Sequence, residues 1–438
     1  MNRALILACG LLAISAVGLQ AQESQVPARL SVEAALKLAG ERNPALAIAR
    51  EAVARAEAGI VGAGTRPNPS ISALSEGYAF SNVAGSSWLN SQELVFRVEQ
   101  EFETGGRRAR RVEGAQIGLE AAHAELRDRW RQVQLDVRRA YFVVVLAKAD
   151  YDVATLALTD IDQLIAVNKA RLEQGEISGV EMRRLQVERF RFADDRFASE
   201  LALKNARADL LALLNVTPLD QGFEPTDALA GDLPAQAATP ASSSSTGGSW
   251  FAQAMASRPD LEAVRRDRDR ARSDLRLQQA LRLPTITIGA GYRRDFGSSG
   301  LVLDLKVPLG LFDRNQAGIA RADADRRAAD ARVAAAEIAV SLDVQRTRNA
   351  LETSMARVTY VEREYLRNAR EARDIVLASY RAGAATLTDY LDAQRALRDA
   401  QRVANRAQFD YRLSLFQLDA ALGRSTPLPD DRRERNLR

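Results

Sequence analysis

The sequence predicts a mixed α/β membrane protein, in which a short β-barrel pooled from several copies of the chain continues into a long coiled-coil barrel of helices. Three observations carry this reading. One plan recurs in both halves of the 438-residue chain. Each half holds short segments that alternate apolar and polar residues, as strands do. The helical stretches carry an apolar seam with steps of three and four, sustained too far for a compact domain.

The chain opens with MNRALILACGLLAISAVGLQA, where Arg3 precedes an apolar run from Leu5 to Val17 and Leu19-Gln20-Ala21 offers a cleavage site. Residues 1–21 are therefore expected to be an export signal. The run is short for a membrane helix, and no later segment approaches the roughly 18 apolar residues one needs, so any crossing falls to strands. Cys9, the only cysteine, lies in that signal, and His123 is the only histidine. Neither a disulfide nor a soft-metal site is expected from such a set. Charged residues make up 27% of the chain and nearly cancel, leaving +4. The basic excess is scattered along helical segments and in the tail DDRRERNLR, without the aromatic interleaving of a nucleic-acid surface. No nucleic acid, cofactor or metal is expected to bind.

Asn43-Pro44-Ala45-Leu46 recurs as Arg258-Pro259-Asp260-Leu261, and Pro69-Ser70-Ile71 recurs at the same spacing as Pro284-Thr285-Ile286. Asp136-Val137-Arg138 matches Asp343-Val344-Gln345, Gly175 matches Gly383, and Leu210–Asn215 matches Leu418–Gly423. The register slips between the second and third pairs, where the second copy is a few residues shorter. Two internal repeats are thus placed at residues 22–217 and 250–424. A linker over 218–249 contains the small, polar run PAQAATPASSSSTGG, and a polar tail covers 425–438. Each repeat reads as a helix, a strand pair, a very long helix, a break at glycine and a second long helix.

The strand pairs fall at about 69–103 and 284–309. Leu94, Phe96, Val98 and Phe102 share one face, opposite Glu93, Arg97, Glu99, Glu101 and Glu103. Ile286, Ile288, Ala290 and Tyr292 oppose Thr285, Thr287 and Arg293, while Leu301, Leu303, Leu305, Val307 and Leu309 oppose Asp304 and Lys306. Such segments fit strands between lipid and water, and equally strands over an ordinary core. The helices decide between them. From Leu126 a seam runs through Trp130, Val133, Val137, Ala140, Val144, Ala147, Tyr151, Ala154, Leu158, Ile161, Ile165 and Leu172. A helix from Arg107 to Leu172 extends about 100 Å and must project from any domain of this size. Four strands cannot close a barrel, and open edges in lipid cost several kcal/mol per unpaired group. A homotrimer pooling four strands per chain gives a 12-stranded barrel, within the range such barrels use.

With this plan in view, the chain resembles the TolC-like outer-membrane efflux family over essentially its whole mature length. The opening LSVEAALKLAGERNPALAIAR resembles that family's first helix. Two segments, VEQEFETGGRRARR (Val98–Arg111) and VPLGLFDRNQAGIARADADR (Val307–Arg326), resemble its heavy-metal branch, which serves cobalt-zinc-cadmium exporters. Both segments also have a local structural reading as strand-to-helix hinges. Gly105-Gly106 supplies a bend, and Asp313 with Gln316 has capping-box spacing.

The breaks at Gly175 and Gly383 suit the reversal of a helical hairpin, since glycine takes the positive φ of a helix end. The resemblance implies that these tips, at about 172–182 and 380–390, meet a periplasmic adaptor through Gly175, Ser178, Gly179, Gly383, Thr386, Leu387 and Thr388. It further implies an inner-membrane pump of the RND type beyond the adaptor, outer-membrane lipid around the barrel and the helices in the periplasm. Asp389 and Asp392, three apart on one helix face, correspond to carboxylates that narrow the pore and favour cations. Here the repeats differ in charge, because Arg184 stands where the second copy has Asp392. A tip latch is expected from Tyr380, Arg184 and Glu181. The arginine that several relatives carry after the tip glycine is absent, Ala385 occupying that site.

The chain carries no phosphate-binding glycine loop and no nucleophile with a positioned base, so an enzyme is not expected. A passive exit duct needs neither. A multidrug or type I secretion duct has the same architecture. A periplasmic adaptor would show one hairpin between β-rich domains, and a soluble coiled-coil scaffold would need no detergent.

Overall fold

Each half of the chain begins with a helix pair broken at an X-Pro step. The computed structural model describes residues 26–76, 93–229, 245–295 and 298–428. The expected export signal, linker residues 230–244 and tail residues 429–438 lie outside these. Ser31 caps α1 (Val32–Arg42) by accepting from the Ala34 amide, and Asn43 caps α2 (Pro44–Gly64) by accepting from the Ala45 amide. The chain then passes through β2 (Ser70–Glu76) and β3 (Glu93–Phe102) into α3 (Arg107–Glu173) and α4 (Gly179–Leu213). A two-residue strand before α1, β1 (Arg29–Leu30), pairs in parallel with β4 (Glu224–Pro225). The second half runs through α5 (Ser245–Ser257), α6 (Pro259–Ala280), β5 (Ile286–Asp295), β6 (Ser298–Lys306) and α7 (Gln316–Tyr360). A π-helical turn (Val361–Leu366), α8 (Arg367–Arg381) and α9 (Leu387–Ala421) complete it.

The 67 residues of α3 match the long helix read from the seam, and Trp130, Val133, Val137, Val144, Ala154 and Ile161 are buried on it. None of the described helices is long and apolar enough to cross a membrane. The two halves also hold their helix pairs alike. The Asn43 amide donates to Leu213 O (3.0 Å), and Arg258, at the matching position, donates to Ala421 O (3.4 Å). Arg50 reaches Gly40 O and Arg265 reaches Met255 O in the same way.

The four longer strands form one antiparallel sheet in the order β2-β3-β5-β6. Phe96 faces Tyr292, which faces Leu301; Ile71 faces Val98, then Ala290 and Leu303. That face is apolar yet exposed, Leu301 and Leu303 by 77% and 76%. The opposite face is a lattice of charge, where Arg97 and Lys306 each pair with both Glu99 and Asp304. The alternation read from the sequence therefore holds, and among the described residues the apolar face is uncovered.

The main core lies midway along α3. Tyr141, fully buried, donates to Asp227 (2.6 Å) or Leu30 O (2.9 Å) and accepts from the Thr226 and Asp227 amides. Burial and the Asp227 carboxylate push its hydroxyl up to about 12. This clasp holds the β1–β4 pair against the helix bundle.

α5 starts at Ser245, inside the segment read as the linker. Two expectations need correction. Val307 and Leu309 lie beyond β6, which ends at Lys306. The Asp313–Gln316 capping box does not form. Asn315 is the N-cap of α7 and takes φ 59°, which moves the helix start past Asp313. The Asp313 carboxylate instead accepts from the Asn315 amide, and Gln316 accepts from the Arg314 amide. At the C-terminal end of the described residues, Trp130 and Gln134 donate to Thr426 O (2.7 and 2.9 Å), and the Thr426 amide donates back to Gln134.

The repeat register also contains a slip that the motif pairs pass over. The spacing between the halves is one residue larger at Gly175/Gly383 than at Asp136/Asp343. The π-helical turn lies within that interval, and such a turn is how a helix takes in one extra residue.

Candidate functional site

Both hairpin tips turn through a glycine in the left-handed region, Gly175 at φ 81° and Gly383 at φ 77°. An L-residue there costs about 1–2 kcal/mol. The amides of Glu176 and Ala384 bond back to Arg171 O (2.9 Å) and Ser379 O (2.8 Å), closing the helix ends. Each return helix then begins with a full capping box. Ser178 and Glu181 cap α4, and Thr386 and Asp389 cap α9. Two residues assigned to a latch and a constriction, Glu181 and Asp389, thus carry local structural work. Hydrogen bonds from the Thr386 hydroxyl (2.7 Å) and amide (2.9 Å) hold the Asp389 carboxyl below its usual range. It stays ionised at neutral pH.

Gly175, Ser178, Gly179, Gly383 and Thr386 are exposed, and Thr388 is half-buried. Leu387 is buried with Ala157, Ile161, Leu185, Phe192 and Leu391 in a small core behind the tips. It anchors the tip and is not part of its surface. Asp389 and Asp392 are both exposed, as their shared face requires.

The second hairpin is tied to the first through Tyr380 and through residues that the sequence reading passed over. The Tyr380 hydroxyl donates to Asn168 Oδ1 on α3 (2.9 Å), and the Tyr380 ring stacks on Tyr390 (5.8 Å between centroids). Gln394 donates to Asp160 (3.0 Å), and Arg395 reaches Glu188 on α4 (2.7 Å). Arg398 pairs with Asp195, and Asn405 donates to Asp150 (2.8 Å). Along this ladder α9 lies in the groove between α3 and α4. Asp392 pairs with Arg395 on its own helix (2.8 Å). Arg184, exposed, makes no ion pair among the described residues, so Tyr380 takes part in a tie and Arg184 does not. The spacing of Asp392 and Arg395 was visible as an i,i+3 pair; Asn168 gave no signal in the sequence.

At the other end, four strand-to-helix hinges are laced together. Gly105 and Gly106 turn the chain at φ 69° and 71° between β3 and α3. Arg108 donates to Gly64 O (2.5 Å) and Arg111 to Thr65 O (3.3 Å), joining this hinge to the one between α2 and β2. Thr104 donates to Pro284 O, and Arg107 to Leu283 O and Leu281 O, joining it to the hinge between α6 and β5. Asn315 donates to Gln278 O (2.9 Å), which brings in the hinge between β6 and α7. The GGRRARR and DRNQ motifs are therefore hinge staples. No group of three or more metal-ligating side chains exists among the described residues, and His123 is exposed and isolated.

The chain belongs to the outer membrane efflux protein family, whose model matches residues 35–216 and 250–424. It is 26% identical to the cobalt-zinc-cadmium resistance protein CzcC of Cupriavidus metallidurans over 375 residues, 85% of each chain. It is 25% identical to the outer membrane protein TolC of Vibrio cholerae over 303 residues, 66% of this chain and 67% of that one. Its fold matches the CmeC outer membrane channel of Campylobacter jejuni with a TM-score of 0.72, at 14% identity, covering 92% of this chain and 88% of that one.

Proposed function

We propose that this channel is the exit duct of a three-part exporter of heavy-metal cations. In this reading three copies pool their sheets into a 12-stranded barrel, and the duplicated hairpins form a periplasmic tube. An adaptor meets the tips at Gly175, Ser178, Gly179, Gly383, Thr386 and Thr388, and an RND-type pump in the inner membrane supplies the energy. The observation that carries the metal cargo is the similarity to CzcC across 85% of both chains. Among the described residues β2 and β6 have no further strand beside them, which supports pooling, since an unpaired edge is not tolerated in lipid.

The test is a susceptibility panel on a strain lacking the chain, with and without complementation. Selective sensitivity to zinc, cobalt and cadmium salts is expected. Sensitivity confined to dyes, bile salts and hydrophobic antibiotics would leave a duct for organic compounds in its place.

The carboxylate ring is tested separately in planar bilayers. Asp389→Asn with Asp392→Asn keeps an oxygen for the cap and removes the charge. Its preference for cations over anions is expected to fall several-fold. Unchanged selectivity would remove both residues from the constriction.

A further inference from the structure

The hinge motifs do more chemistry than stapling requires. Each of the four hinges carries at least one arginine with no carboxylate within ion-pair distance among the described residues: Arg66, Arg107 and Arg108, Arg282, and Arg314. Arg107 and Arg108 donate to backbone carbonyls, as does Arg314 to Gly310 O (3.1 Å). A carbonyl satisfies the donor without a close ion pair; Glu103 offsets Arg107 and Arg108 only from a distance, while Arg66, Arg282 and Arg314 have no such neighbour among the described residues. Arg66 and Arg282 are exposed. Arg111 is the contrast, since Glu103 neutralises it.

These cations sit at one level. The strand ends on this side, Phe102, Ile286 and Lys306, lie within a residue of one another in register. Just past them the apolar character of the sheet continues for six residues beyond β6: Leu309, Leu311 and Phe312 are exposed by 77%, 66% and 92%. A solvated hinge gains nothing from an uncovered phenyl ring, and a site for a free anion does not need one. Cations beside exposed leucine and phenylalanine match a molecule that has a phosphate at one end and an alkyl chain at the other.

We infer that the hinge collar binds anionic phospholipid of the leaflet on the helical side. The arginines take the phosphodiester, and Leu311 with Phe312 enters the acyl region. The inference rests on the barrel reading given above. It assigns the arginine-rich motif to lipid and not to exported cations, which a ring of positive charge would repel.

The experiment follows thermal denaturation of the purified protein in neutral detergent with added phosphatidylglycerol, phosphatidylcholine or inorganic phosphate at equal phosphorus. The variant combines Arg66→Gln, Arg282→Gln and Arg314→Gln, leaving the staples Arg107, Arg108 and Arg111 in place. Phosphatidylglycerol is expected to raise the melting temperature more than phosphatidylcholine does, and the variant to lose more than half of that difference. An equal response to both lipids, or a variant that responds like wild type, overturns the inference. A matching response to inorganic phosphate overturns it too, in favour of a free-anion site. Flotation with liposomes separates the levels: protein that floats without a lipid preference sinks the collar alone, whereas protein that never floats sinks the barrel as well.

Discussion

Cutting two of the ties between the hairpins, with Tyr380→Phe and Arg395→Ala, is expected to raise the time-averaged conductance of the reconstituted channel about tenfold. The Tyr380 hydroxyl and the Arg395 guanidinium each join the second hairpin to the first, at 2.9 Å to Asn168 and 2.7 Å to Glu188. Glu188 is buried and keeps a second partner, Arg191 on its own helix (3.0 Å), when Arg395 is removed. Net contributions of about 1 kcal/mol from the Tyr380 hydrogen bond and up to about 1 kcal/mol from the Arg395–Glu188 ion pair shift a closed–open balance by about the factor that 1.4 kcal/mol gives, roughly tenfold. Tyr380→Phe leaves the ring to stack on Tyr390, which separates the hydrogen bond from packing. Single-channel recording in planar bilayers checks it. A conductance unchanged in the double variant would mean that these bonds only brace the fold.

The largest loss of stability is expected from Arg258→Ala. Arg258 is 6% exposed and serves three partners: Asp260 (2.6 Å), Asp343 (3.1 Å) and Ala421 O (3.4 Å). Its removal takes the main partner from Asp260, which keeps only Arg131 at 3.8 Å, frees the exposed Asp343 and leaves a helix-end carbonyl unbonded, at a cost of about 3 kcal/mol. The lower end of the usual range applies because both carboxylates keep some access to water. Arg258→Asn, which imitates Asn43 of the first half, recovers the carbonyl bond and about 1 kcal/mol. The pH dependence has a definite sign. Burial alone would raise the Asp260 carboxyl, but the hydrogen bond and charge of Arg258 outweigh it and hold the group below its usual range. Its contribution is therefore complete above the unfolded carboxylate range and is lost as pH falls through the depressed value. Denaturant melts of wild type and variants at neutral and acid pH check both points, and the gap between them is expected to narrow in acid.

Much of this was legible in the sequence because it depends on neighbours along the chain. The seam from Trp130 onward gave a helix from Arg107, and the glycines at 105, 106, 175 and 383 marked positions that need positive φ. The strand faces followed from alternation alone. What stayed hidden depends on the third dimension. The ties at Asn168, Glu188 and Arg395 exist only because α8 and α9 of the second hairpin pack over the α3–α4 hairpin, and no local pattern encodes that choice. The capping motifs show the opposite difficulty. S-x-x-E at Ser178 and T-x-x-D at Thr386 were open to view, yet the spacing was credited to Asp313 and Gln316. There the backbone at Asn315 overrides it.

The π-helical turn at Val361–Leu366 gives the two hairpins unlike mechanics. In the first, α3 runs 67 residues without a change in its bonding. In the second, the equivalent length is interrupted, and α8 beyond the interruption has no buried side chain. One hairpin is a stiff strut and the other a jointed one. A load applied at the tips, whether by a docking partner or by passing cargo, is therefore borne unequally. The jointed member yields first, near Leu366, while the stiff one keeps its line.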